Sequence, residues 1–334
     1  MAPPAPSNRR LPAEWEPQAA LWLSWPSRSA IWPQTPAHIQ RTFAEITAAA
    51  ARRQPVAINA PAAWHFSIHK SLTSAGADRA VITLYDHPND DVWVRDHGPI
   101  FVMDKGDVIA TDWRFNAWGG KFADYARDDA IAARIANALG LRRETPEPGF
   151  ILEGGAIDSN GAGTLLVTEP VLLNPNRNPG YDRAAQEAVL RAALGVCDII
   201  WLPAGLANDD TDGHVDNVAR FVAADTVVAA VGQPALTANL ETLRAHGLTV
   251  VELPLPDPVP IHGVCAPASY ANFTVINDAV LLPTFGQPDN DARAAAILGD
   301  CFPTRDIVAV EARLLLEEGG ALHCMSCNQP AAAD

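Results

Sequence analysis

Gly98-Pro-Ile-Phe-Val-Met-Asp-Lys-Gly-Asp-Val-Ile-Ala110 reads as two short apolar strands joined by a tight turn at Asp104-Lys-Gly-Asp107. A glycine in a short polar gap between β-rich runs is a hairpin signal. The same plan returns along the chain. Gly155-Ala-Ile-Asp precedes Asn160-Gly-Ala-Gly and Thr164-Leu-Leu-Val. Val215-Asp-Asn-Val-Ala-Arg-Phe-Val leads through Ala-Ala-Asp to Thr226-Val-Val-Ala-Ala, and Tyr270-Ala-Asn-Phe-Thr-Val-Ile leads through Asn277-Asp to Ala279-Val-Leu-Leu. Ala- and Leu-rich segments near 37–51, 125–139, 182–194, 234–246 and 291–301 have the pattern of helices. Short strands such as Val56-Ala-Ile-Asn, Asp198-Ile-Ile-Trp-Leu, Thr249-Val-Val-Glu-Leu and Asp306-Ile-Val-Ala-Val follow them.

The hairpin starts, at 98, 155, 215, 270 and 320, recur about every 50 to 60 residues. That period is longer than a four-stranded propeller blade and contains a helix, so the unit is a ββαβ module repeated five times. The last start, Gly319-Gly-Ala-Leu-His-Cys324, lies close to the chain end and lacks a second strand. Ala19-Ala-Leu-Trp-Leu-Ser-Trp25 can supply it, which closes the modules into a ring and removes exposed sheet edges. The expected fold is therefore α/β, a five-bladed α/β-propeller around a central cavity, with residues 1–334 forming one catalytic domain. On pattern alone the alternative is an ordinary two-domain α/β protein.

Composition narrows the function. The 334 residues carry 39 Asp and Glu against 24 Lys and Arg, a formal charge of −15, which argues against generic binding to nucleic acid or an anionic membrane. No apolar run approaches the roughly 18 residues of a membrane span, and the start Met1-Ala-Pro-Pro-Ala-Pro-Ser-Asn-Arg-Arg10 has no apolar core of an export signal. Five scattered cysteines do not make a disulfide framework in a chain this long. The expected setting is the reducing cytoplasm. Apolar surface on module faces would suit a homodimer.

Polar clusters sit at the hairpin starts, where a ring would aim them at one cavity: Trp93-Val-Arg-Asp96-His-Gly-Pro, Glu153-Gly-Gly, Asp210-Thr-Asp-Gly-His214-Val-Asp216 and His323-Cys324. Each has a plain reading. Asp96 before Gly-Pro suits a turn, and Glu153 before Gly-Gly suits a solvated loop. His214 and Asp216, two apart on a strand, would share a face, as a surface pair or as a base beside an anion that binds a cation. The candidates are too scattered for a zinc site. Cys324 is either a buried thiol or a nucleophile. Cys327 completes a CxxC without the helix context of a redox motif, although a Cys324–Cys327 disulfide would switch off a nucleophilic Cys324.

Together, Trp93-Val-Arg-Asp-His-Gly-Pro-Ile-Phe-Val, Phe115-Asn-Ala-Trp-Gly-Gly-Lys, Leu152-Glu-Gly-Gly-Ala-Ile-Asp, Asn174-Pro-Asn-Arg-Asn-Pro, Thr211-Asp-Gly-His-Val-Asp-Asn and Gly319-Gly-Ala-Leu-His-Cys resemble the agmatine deiminase family. That family includes the bacterial-type peptidylarginine deiminases, and the matches run in its order from Leu11-Pro-Ala-Glu-Trp to Gln329-Pro. The resemblance implies the pentein fold and hydrolysis of the C–N bond of a linear amidine, agmatine going to N-carbamoylputrescine and ammonia on the way to putrescine. By it, Cys324 is the nucleophile, His214 the general acid and base, and Glu153 the partner that orients His214. Asp96 and Asp216 bind the guanidinium, while Trp93 and Asp210 are candidates for the far end of the substrate. The partner is a small cationic guanidino compound, and neither a metal nor an organic cofactor has a step. Two motifs depart from the family: Met325-Ser-Cys327-Asn-Gln-Pro follows the nucleophile, and Gly205-Leu-Ala-Asn-Asp-Asp is less acidic than usual. The alternatives are deimination of peptidyl-arginine or free arginine, amidino transfer, or non-catalytic polyamine binding.

Overall fold

A tight turn with both central residues left-handed, Lys105 at φ 56° and Gly106 at φ 94°, joins Ile100–Asp104 to Asp107–Thr111. This geometry matches the twist of an antiparallel pair, and glycine takes its second position without strain. The helix Ile131–Leu139 then returns the chain to Arg142–Glu144, parallel to the second strand. The computed structural model describes residues 9–332, so the reading of the first eight residues as no export signal lies outside the described residues.

Module two follows the same path through Ile157–Ser159, Thr164–Thr168, the helix Arg183–Leu194 and Asp198–Leu202. Its helix starts at Asp182, whose carboxylate accepts from the Ala185 N–H at 2.8 Å, and ends at left-handed Gly195. Module three runs through Ala219–Ala223, Thr226–Val231, the helix Thr237–Ala245 and Thr249–Pro254. Module four runs through Thr274–Ile276, Ala279–Thr284, the helix Pro288–Cys301 and Asp306–Glu311.

Module five uses both ends of the chain. Ser326–Pro330 pairs antiparallel with Gln18–Ser24, the helix Pro36–Ala51 follows, and Val56–Ala60 returns parallel, with Ile82–Asp86 as a fourth strand. The ring closes as the sequence requires, through this pairing of the two ends of the described chain. In Gln18–Ser24, Leu21 and Leu23 pack into one apolar cluster and Trp22 into another, so the strand is buried on both faces. Among the described residues, no helix is long and apolar enough to cross a membrane.

One local expectation fails in its detail. Val215–Asn217 is a turn of 3-10 helix, and the strand begins only at Ala219. His214 and Asp216 therefore do not share a face by strand alternation.

Candidate active site

The modules deliver their chemistry from the irregular segment just before the first strand. Asp96 lies on the one-turn helix Val94–His97, Glu153 precedes the turn Gly154–Ala156, and His214 precedes Val215–Asn217, which carries Asp216. Asn272 stands two residues before Thr274–Ile276, and Cys324 two residues before Ser326–Pro330. Sequence reasoning found the residues from four modules and missed Asn272. Its signal was available, since module four should present a residue at the same place in the repeat.

Gly155 shows how closely the groups converge. A Cβ there would lie 2.6 Å from His214 Nδ1, 2.7 Å from Asp96 Oδ1 and 3.0 Å from Asp216 Oδ2. Its N–H donates to Asp96 Oδ1 at 2.9 Å. The other Asp96 oxygen accepts from Trp118 Nε1 at 3.0 Å. Trp118 reaches it because Ala117 and Trp118 both hold left-handed φ, 54° and 55°, conformations that non-glycine residues seldom adopt. Burial raises the Asp96 carboxyl to about 6; Asp216 and Glu153 add to this, and His214 opposes it.

Asp216 is fully buried, and its Oδ2 lies 2.8 Å from His323 Nδ1. Burial alone would raise its carboxyl, but His323, then His214 and Arg220, hold it below its ordinary value. Cys324 Sγ accepts from Asn272 Nδ2 at 3.1 Å and lies 3.7 Å from Asp216 Oδ2. Burial, with the neighbouring Asp216 and Asp96, pushes its thiol well above the usual range. A cation placed between the two carboxylates would oppose the effect of both on the thiol.

Glu153 departs from its expected place. Both ring nitrogens of fully buried His214 lack a hydrogen-bond partner, so Glu153 makes no bond to it. Glu153 Oε1 instead accepts from Arg177 Nε at 2.8 Å, with both side chains about 1% exposed. Arg177 also reaches Asp212 and the Thr211 carbonyl, tying Glu153 to the loop that enters His214. The His214 N–H donates to Thr211 Oγ1 at 3.0 Å. Arg177 and Trp118 stood inside quoted motifs, but only their contacts reveal what they hold.

The groove above Cys324 is walled by Trp93, Trp118, Asp91, Asp210 and Glu318. Trp93 lies over Gly320, where a Cβ would come within 2.3 Å of the ring. Asp210 is exposed, and its carbonyl accepts from Lys121 Nζ. Asp91 and Glu318 were not anticipated; burial, then nearby Glu318 and Asp90, raise the Asp91 carboxyl to about 7 against the Val92 N–H bond and Arg28. No Arg, Lys or His lines this groove among the described residues.

The Cys324–Cys327 disulfide is not formed. Both thiols are free; Cys327 packs with Trp22, Val94 and Phe101, its Sγ 3.5 Å from the Pro99 carbonyl. Among the described residues, no group of three or more His, Cys, Asp or Glu is arranged to hold a metal ion.

Residues 10–330 match the Porphyromonas-type peptidyl-arginine deiminase family. The chain is 40% identical over 357 aligned residues to the agmatine deiminase of Stutzerimonas stutzeri (strain A1501), covering 96% of this chain and 95% of that one. A Cys-to-Ser variant of the C. jejuni agmatine deiminase with substrate bound superposes with a TM-score of 0.89 at 30% identity, over 98% of this chain and 97% of that one. The Enterococcus faecalis agmatine deiminase gives 0.89 at 30% identity, over 97% and 96%. With the ring and the converging turns, these likenesses establish that the chain belongs to the Porphyromonas-type peptidyl-arginine deiminase family.

Proposed function

We propose that this chain is an agmatine deiminase, a hydrolase that converts agmatine and water to N-carbamoylputrescine and ammonia. The observation that carries the reading is the meeting of Asp96, Asp216 and His214 within about 3 Å of one point, with Cys324 Sγ 3.7 Å from Asp216. Two buried carboxylates suit a planar guanidinium, which carboxylates hold through paired charge-assisted hydrogen bonds.

In this mechanism the cation enters between Asp96 and Asp216 and opposes the carboxylate charges that, together with burial, keep Cys324 a thiol. The thiol proton passes to His214 as sulfur attacks the guanidinium carbon, and His214 hands that proton to the departing nitrogen. The C–N bond breaks, ammonia leaves, and a cationic S-alkylthiouronium remains on Cys324. His214 then takes a proton from water, whose oxygen bonds the same carbon. The C–S bond breaks, the thiol is restored with a returned proton, the ureido product leaves, and one proton goes to solvent. Glu153 acts in this scheme through Arg177 and the loop that positions His214.

Agmatine is favoured over arginine by the groove. Asp91, Asp210 and Glu318 suit a second ammonium, Trp93 offers a ring face to the chain, and no basic side chain is there to pair an α-carboxylate. The five free cysteines support a cytoplasmic setting.

The test is ammonia release and product mass from agmatine, free arginine and an arginine peptide, with Cys324→Ser as control. Turnover of agmatine alone, lost by at least about 1,000-fold in the variant, is the expected result. Cys324-dependent turnover of arginine or the peptide instead would keep the chemistry and reject the substrate. Activity retained in Cys324→Ser would reject the mechanism.

A further inference from the structure

His323 immediately precedes the nucleophile and is 2% exposed. Its Nδ1 lies 2.8 Å from Asp216 Oδ2 and its Nε2 lies 2.8 Å from Glu14 Oε2. Both partners are carboxylates, which when ionised only accept. A neutral imidazole has one N–H, so one of these contacts would set a lone pair against a carboxylate oxygen. An imidazolium donates to both.

The surroundings leave Glu14 ionised. Burial would raise its carboxyl, yet the charges of Arg220, His323 and Arg95 carry it far below the ordinary range. Glu14 Oε2 accepts from Arg220 Nη2 at 2.8 Å, and Oε1 accepts from the Val275 N–H at 2.6 Å. On the other side, Asp216 is faced by His323, His214, Asp96, Cys324 and the charge of Arg220. His323 is held from behind, its N–H donating to Asn272 Oδ1 at 3.0 Å and its carbonyl meeting Arg95 Nε at 3.4 Å.

We propose that His323 is a fixed imidazolium, a positioning residue charged against Glu14, which keeps Asp216 a carboxylate for the substrate cation. It separates the two carboxylates of the site. Asp96, which burial raises to about 6, accepts only from neutral donors, the Gly155 N–H and the Trp118 indole N–H; equally buried Asp216 faces His323 and is held below its ordinary value. The inference rests on the proposed role of Asp216 in binding the guanidinium.

The first experiment needs no substrate. In the ligand-free full chain with 15N-labelled histidine, the ring nitrogens of His323, assigned by the signal missing from His323→Asn, should both be protonated at about pH 7. A neutral tautomer there would overturn the proposal, whether or not the chain turns over any guanidino compound. The second experiment uses Glu14→Gln, which removes the counter-charge. The acidic limb of its agmatine kcat/KM profile should become steeper than the parent's below about pH 6, where Asp96 already takes up a proton and Asp216 now follows, with KM there rising about tenfold and kcat falling much less. A fall in kcat that is uniform across pH, with the limb no steeper, would leave Glu14 and His323 a packing role and reject the proposal. If Glu14→Gln does not fold, the histidine spectrum of the unaltered protein still decides.

Discussion

Gly155 sets the dimensions of the candidate site, because His214, Asp96 and Asp216 all reach the position that any other residue's Cβ would fill. Its backbone is not left-handed, so alanine meets no backbone penalty there and the conflict is confined to the site. Gly155→Ala should lower kcat/KM by about 100-fold or more, the scale of a small misplacement of reacting groups, with a native circular dichroism spectrum. Retained activity in that variant would show that the three groups do not act as one constellation. Asp96 gives the pH dependence. Its carboxyl is raised to about 6 by burial, above its value in the unfolded chain, so its stabilising contribution is full below about pH 4 and lost as pH rises through about 6. A bound guanidinium offsets that loss, because it needs the ionised form. Agmatine should therefore raise the Tm of Cys324→Ser strongly at about pH 7.5 and little at about pH 5, measured by thermal shift; a gain equal at both would remove Asp96 from the binding site.

At the scale of elements, the turn before each first strand matters more than the strand. Strands and helices repeat because their patterns are local, and they put five irregular segments around one centre. The closing pair, Ser326–Pro330 with Gln18–Ser24, is the element on which the others depend, since it brings Cys324 to the groups from the other modules. A circular permutant tests this. With a flexible linker joining the termini and new ends at His262 and Gly263, an exposed hairpin tip, the closing pair is intact and the opened segment carries little packing. The permutant should keep native secondary structure and agmatine turnover within about tenfold of the parent. Loss of fold would mean that module order along the chain, and not closure alone, holds the ring.

For the whole molecule, the charge of −15 and the acidic groove act on a dication before it binds. Exposed charges are screened over about 10 Å at 0.1 M salt, so this attraction should weaken with ionic strength. Raising salt from about 0.05 M to about 0.5 M should raise KM for agmatine several-fold with kcat nearly constant. A KM independent of salt would limit recognition to contacts inside the groove.

The sequence by itself determined the five-module ring and its closure through the N-terminal strand, and it placed Asp96, Glu153, His214, Asp216 and Cys324 at the starts of the modules. Turn residues and apolar periodicity act over a few positions, and a repeat multiplies a weak local signal. Partners were decided only by the tertiary structure. Glu153 belongs to Arg177 and not to His214, His214 and Asp216 meet through a 3-10 turn, and Asn272, Trp118 and Asp91 join the site without an assigned role in the motifs. Such contacts join positions far apart, 59 residues between Asp96 and Gly155 and 309 between Glu14 and His323. Which side chain meets which is set by how the modules pack around the ring, and no local pattern carries that information.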